Sequence, residues 1–378
     1  MTDCAGEEAE EVLARGELLV APMVRAGTLA FRTLCRSYGA RTAYTPAIVD
    51  LKLVEPSAGL RVRRVPLPAY GAGAEAVELY CAKDLTPVLT TLQGATRCPF
   101  CEHGRALADI AADHNSDNSD SSDSSSEPPA QRVCHRHDHD HEHDECACAC
   151  GGRGDHPLVV QLGSADAETA VRAADVVAAW ADGLDVNAGC AMQFAAQGGM
   201  GVELLRRPDA LRAVLAALVR RHAPAGRTVS CKTRLLDAAD ARPTARLVLE
   251  HIVPAGCRTV ALHARTPAET ARNPCHWATL GAVRAALAAP AAGAGAEGED
   301  ASGALRVIAN GGVRTRADIA AVRRATGCAD VMVGTAAIQN ASIFGAVPRA
   351  VPDVARDLLR TVCRARTHTH THSLLFTT

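Results

Sequence analysis

With 378 residues, 48% of them hydrophobic, the chain is long enough for one large domain or two ordinary ones, and its formal charge of −2 excludes a nucleic-acid binder that works by bulk basicity. Ala, Val and Leu dominate while aromatic residues make up only 3%, a composition that suits helices packed on a parallel sheet better than an aromatic-rich sandwich. The start MTDCAGEEAEE is acidic and lacks the basic, apolar run of a secretory signal, and no apolar stretch approaches a membrane span; a soluble, cytoplasmic protein is expected, its fifteen cysteines mostly reduced thiols.

After an acidic tail over 1–16, the first predicted strands are LLVAPM (18–23) and TAYTPAIV (42–49). The composition then breaks over 96–156, where TRCPFCEHG is followed by NSDNSDSSDSSSEPP and CHRHDHDHEHDECACACGGRGDH. Such a segment cannot bury a core and is expected to be a disordered, solvated insertion. Six further strands follow: LVVQLG (158–163), LDVNAG (184–189), TVSCKTRL (228–235), TVALHAR (259–265), RVIANGG (306–312) and DVMVGT (330–335). Between them lie helices. In PDALRAVLAALVRRH, Pro208 suits the first turn and Leu211, Val214, Leu215, Leu218 and Val219 form one apolar stripe; Thr315 and Asp318 read as a capping box, with Gly327 as the stop. Eight β–α units point to an α/β fold, a (β/α)₈ barrel over 17–345 interrupted in its second connection by 96–156, with an open doubly wound sheet as the alternative. Residues 346–378 hold a short helical stretch and the low-complexity RTHTHTHS.

Strand alternation sorts the candidate site residues. Leu158, Val160 and Leu162 share one face and leave Gln161 on the other; Leu184 and Val186 leave Asp185 and Asn187; Val229 and Cys231 oppose Ser230, Lys232 and Arg234; Val260 and Leu262 oppose His263 and Arg265. In a barrel, Gln161, Asn187, Lys232 and His263 would converge on one mouth at the carboxyl ends of the strands. Asn310, Gly311, Gly312 and Gly334 would bring bare backbone N–H groups to the place where such barrels bind phosphate, although plain tight turns would use the same glycines.

The motifs APMVRAGTLAFRTL (21–34), VVQLGSAD (159–166), DVNAGCAMQFAAQGGMGVELL (185–205), CKTRLL (231–236), HAR (263–265), IANGG (308–312) and VMVGTAAIQNASIF (331–344) together resemble the FMN-dependent tRNA-dihydrouridine synthases, especially the eukaryotic branch acting on uridine 20. The resemblance implies an FMN barrel reducing a D-loop uridine in tRNA with electrons from NADPH. In it Pro22, Met23 and Val24 line the flavin, Gln161 bonds its ring, and Lys232 sits near the pyrimidine end. His263, Asn310, Gly311, Gly312, Gly334 and Thr335 surround the phosphate, and Asn187, Arg234 and Arg265 face the substrate. It assigns Cys190 the proton delivered to C5 of uracil; an ordinary thiol, with a pKa of about 8.5, keeps its proton at neutral pH. A packed structural cysteine is the other reading.

Departures from the family's pattern carry their own expectations. Ala191 stands in place of proline beside the cysteine, Ala264 in place of glycine, and Pro46 and Ala47 where polar residues usually face the substrate. Thr335 replaces an arginine at the phosphate, implying weaker flavin binding. The helical tRNA-binding domain of the family is represented at most by 351–366, so a protein partner is expected to supply it. Cys98 and Cys101, with the His/Cys run from Cys134 to Cys150, offer soft metal ligands, but a second CxxC at finger spacing is absent. The competing functions are a dihydroorotate- or dihydropyrimidine-type flavin oxidoreductase and a non-catalytic RNA- or metal-binding barrel.

Overall fold

The computed structural model describes residues 16–55, 59–67, 73–81, 87–93, 156–288 and 304–366. The acidic tail up to residue 15, the segment 94–155 with Cys98, Cys101 and the His/Cys run, and residues 367–378 lie outside the described residues.

In chain order the strands are β1 (Leu18–Val20), β2 (Thr42–Tyr44), β3 (Ile48–Val49), β4 (Leu60–Pro66), β5 (Glu75–Cys81), β6 (Pro87–Gln93), β7 (Leu158–Gly163), β8 (Gly183–Asn187), β9 (Thr228–Arg234), β10 (Thr259–His263), β11 (Arg306–Asn310) and β12 (Asp330–Val333). The order β2-β1-β12-β11-β10-β9-β8-β7, closed by pairing of β2 with β7, makes an eight-stranded parallel barrel. This is the (β/α)₈ architecture expected from the alternation of short apolar strands and helices. The predicted second strand runs as two pieces, β2 and β3, because Pro46 has no N–H to give the ladder.

The two faces of each barrel strand serve different cores. Leu158, Val160, Leu162, Leu184, Val186 and Cys231 point outward and are buried under the helices, while Leu19, Tyr44, Val159, Ala261, Ile308 and Met332 fill the interior. The helix Pro208–His222 starts on a proline whose missing N–H is no loss in the first turn, buries Leu211, Val214, Leu215 and Leu218, and ends in basic residues that oppose its dipole. The helix Arg316–Thr326 opens with the capping box of Thr315 and Asp318 and stops at Gly327, φ 67°. At the floor of the barrel Arg306 bridges Asp330 (2.6 Å) and Glu17 (2.8 Å).

One layer was not foreseen. Strands β4, β5 and β6 form a separate antiparallel sheet in the second β–α connection, where only the helix Leu51–Val54 precedes it. Val65, Leu67, Ala74, Ala76 and Leu92 bury this sheet against Leu29. Arg32, itself buried, donates to the Thr90 carbonyl and so ties the helix Leu29–Ser37 to β6. The last residue of β6 meets the residue that leads into β7: Gln93 Nε2 lies 2.9 Å from His156 Nε2, and His156 Nδ1 lies 2.6 Å from Asp182 Oδ2. The stretch after the barrel is a single helix, Val351–Arg366, held to Tyr38 through Asp357 at 2.6 Å, with Arg349 on the same carboxylate at 2.7 Å.

Candidate active site

At the carboxyl end of the barrel a cavity is lined by Pro22, Met23, Lys232, His263, Arg265, Asn310, Gly311, Gly312, Gly334 and Thr335, together with Ala21, Val313 and Met332. Alternation along the strands brings them together: Lys232 and His263 are the inward positions at the ends of β9 and β10, and Ala261 pairs with Lys232 across the ladder. Val24, by contrast, is 61% exposed and stands outside this lining.

Two glycines are required by the close quarters. Gly311 (φ 104°) and Gly312 (φ 82°) turn in the left-handed region. A Cβ on Gly311 would come 3.1 Å from the His263 ring, and one on Gly312 would come 3.0 Å from Cys275 Sγ. Trp277 Nε1 donates to the Gly311 carbonyl at 3.0 Å, and Asn310 Nδ2 donates to Met332 O at 2.8 Å, so the loop is held from both sides.

The cations at the mouth act on one another. Burial, then Arg234, lower Lys232 to about 8, with Asp185 acting in the opposite sense. Burial and the nearby Lys232, Arg234 and Arg265 push His263 down to about 2, so its imidazole is neutral, and its Nδ1 is buried without a partner among the described residues. Arg265 donates through Nε to Asn273 O (2.7 Å), and Arg234 through Nη1 to Thr266 O (3.1 Å), which fastens the loop after β10. Glu269 closes that loop: its bond to His276 (2.7 Å) and the Thr266 N–H (2.7 Å) hold its carboxyl down to about 2.

Beside the cavity, Cys190 is half-buried with a free thiol. Its backbone is seated from three directions. Asn187 Oδ1 accepts from the N–H groups of Gly189 (3.0 Å) and Cys190 (2.9 Å). Arg234 Nε donates to Gly189 O (2.7 Å), and the Val202 N–H donates to Cys190 O (3.0 Å). Gly201 (φ 64°) is what allows that last contact, since a Cβ there would strike the Cys190 carbonyl. Gln161 and Asn187 are therefore linked to the thiol's loop rather than to the cavity lining: Asn187 Nδ2 donates to Gln161 Oε1 at 3.1 Å.

Sequence reasoning put Asp185 on the inward face without giving it a role, and missed Cys275 and Trp277. Asp185 shares the inward parity of Asn187, which was the available signal; Cys275 and Trp277, at the start of the helix Trp277–Ala288, pack behind Gly311 and Gly312 along a path the sequence does not reveal.

The mouth of this closed parallel barrel combines cations, an imidazole nitrogen without a partner among the described residues and bare backbone, the features that suit an anionic ligand in the class of barrels that bind at the carboxyl ends of their strands. Residues 131–373, more than half of the chain, match the family profile described as dihydrouridine synthase (Dus), and the chain belongs to that family. Among curated relatives, it is 34% identical over 191 residues to a tRNA-dihydrouridine(16) synthase of Cupriavidus necator, covering 50% of this chain and 53% of the relative. It is 29% identical over 256 residues to the tRNA-dihydrouridine(20) synthase [NAD(P)+] of Schizosaccharomyces pombe, covering 66% and 38%. A human tRNA-dihydrouridine(20a/20b) synthase [NAD(P)+]-like protein is 29% identical over 192 residues, covering 51% and 54%. The chain thus spans about half the length, or less, of these relatives. Among the described residues no helix is long and apolar enough to cross a membrane.

Proposed function

We propose that this chain reduces the 5,6 double bond of a uridine in tRNA to dihydrouridine, with FMN as its resident cofactor and NADPH as the source of electrons. The observation that carries the reading is the seating of Cys190 beside a cationic, glycine-lined mouth that also holds Lys232. The residues present fit a flavin mononucleotide. The buried His263 Nδ1 lacks a partner among the described residues, and Lys232, Arg265 and the side-chain-free Gly311 and Gly312 line the same cavity. His263, Asn310, Gly311, Gly312, Gly334 and Thr335 would hold the phosphate, Lys232 and Gln161 the ring, and Pro22 and Met23 its near edge. When bound, this cofactor supplies the hydride.

The protein's own part is to orient and to hold a proton. Lys232 lines the cavity with an ammonium that would stabilise negative charge on a flavin ring held there, an effect that is strong in a site sheltered from water. Cys190 Sγ gives its proton to C5 of the base, and the three backbone anchors of its loop set the direction of that transfer. Asn187, Arg234 and Arg265 border the place left for the nucleotide.

The test is to load the protein with FMN, add NADPH and unmodified tRNA, and measure dihydrouridine for wild type and Cys190→Ser. Wild type is expected to form product and the variant to lose about 100-fold or more in rate, the usual scale for a positioned proton donor. Equal rates from both would remove Cys190 from the mechanism, and no product from wild type would remove the reaction.

A further inference from the structure

Beneath the Cys190 loop lies a polar chain whose buried foot, Asp185 with Ser230, has no part in the mechanism above. Gln161 on β7, Asp185 on β8 and Ser230 on β9 stand in register across three neighbouring strands, all turned into the barrel. The Asp185 carboxylate is fully buried. It accepts from Ser230 Oγ at 2.6 Å and from Gln161 Nε2 at 2.7 Å. Ser230 Oγ also lies 3.3 Å from the Leu184 carbonyl.

We infer that Asp185 is a positioning residue that aims Cys190 by fixing the sense of the two amides between them. An ionised carboxylate only accepts hydrogen bonds. Gln161 must therefore turn its NH₂ toward Asp185, which leaves Oε1 to accept from Asn187 Nδ2 at 3.1 Å. Asn187 is in turn left with Oδ1 toward the N–H groups of Gly189 and Cys190. Flipping either amide would set oxygen against oxygen or N–H against N–H along a buried path, where an unmade bond is costly. The two amides are nearly symmetric in shape, so packing alone does not choose between their orientations; the charge at the foot of the chain does. Burial raises the Asp185 carboxyl to about 6, against the bonds from Ser230 and Gln161 and the nearby Lys232, which favour its charge, so it is ionised at neutral pH.

The inference deepens the reductase reading and rests on it for the word "aims", but its test does not need turnover. Asp185→Asn keeps volume and removes the charge, so the amide at 185 can donate to Gln161 and the sense is lost. Adding Gln161→Glu restores an acceptor-only group one step along, which again takes Asn187 Nδ2. Alkylation of Cys190 by iodoacetamide in the full chain, followed on its own peptide by mass spectrometry, is expected to change about fivefold in D185N as the loop loosens and to return to within about twofold of wild type in D185N/Q161E. Ser230→Ala, which removes a donor without touching the amides, is expected to stay within about twofold of wild type. In the turnover assay D185N is expected to lose about tenfold or more in kcat, with KM for tRNA within about twofold, as for a misaimed group. Wild-type alkylation in D185N, or a double variant that behaves like D185N, overturns the inference. If wild type forms no dihydrouridine while the alkylation pattern holds, the reaction falls and the positioning chain stands.

Discussion

At the floor of the barrel the charges are paired, Arg306 lying between Glu17 and Asp330; at the mouth Lys232, Arg234 and Arg265 crowd together and, after burial, depress their neighbour His263. The same strands build both ends. β11 runs from Arg306 to Asn310, and β12 leads from Asp330 to Gly334. The floor is satisfied by the protein alone, whereas the mouth keeps a cation cluster, an unpartnered imidazole nitrogen and bare glycine backbone that an anion would complete. Changes at the floor should therefore be read in stability and changes at the mouth in binding.

The sharpest break of that division is Lys232→Met, expected to weaken flavin binding by about 2–3 kcal/mol, the scale of a hydrogen bond to a charged group, measured by fluorescence titration. Because burial and Arg234 bring Lys232 down to about 8, its charge is present below that pH and is lost as pH rises through it. Flavin affinity of wild type should fall about tenfold between pH 7 and 9, and K232M should lack that limb. Gly201→Ala tests whether the rim, too, is built for placement: the left-handed φ and the Cys190 carbonyl predict a cost of about 1–3 kcal/mol in thermal melts, together with altered Cys190 alkylation. At the floor, Arg306→Met should cost about 1–2 kcal/mol of stability, discounted because the partly exposed ion pairs are screened, and leave flavin affinity within about twofold. The smallest effect belongs to neither end: Glu250→Ala, which breaks the exposed i,i+4 pair with Arg246, should cost about 0.3–0.5 kcal/mol in the same melts.

The barrel was legible because its strands carry one apolar face each and its helices carry caps, as with Thr315 and Asp318. The inward position of Lys232 and His263 followed from the same two-residue alternation. The β4–β6 sheet was hidden because Arg61, Arg63 and Arg64 break its apolar alternation, yet Arg63 pairs with a fully buried Glu78 and lies over the Tyr80 ring. The internal bonding of the site was equally out of reach. Arg234 looks like a free cation in CKTR, whereas three of its bonds go to backbone carbonyls of two loops distant in sequence.

The meeting of Gln93 and His156 has an evolutionary consequence. Gln93 and His156 sit 2.9 Å apart, so the fold itself fixes both ends of whatever branch of chain joins them. Lengthening such a branch adds only about 0.6 kcal/mol of closure entropy per doubling, so runs of serine, aspartate and histidine can accumulate there with little penalty to the barrel. By the same reasoning, replacing 94–155 with a short Gly/Ser turn should leave the melting temperature nearly unchanged, which makes this the natural point to insert a tag, a reporter or a second domain.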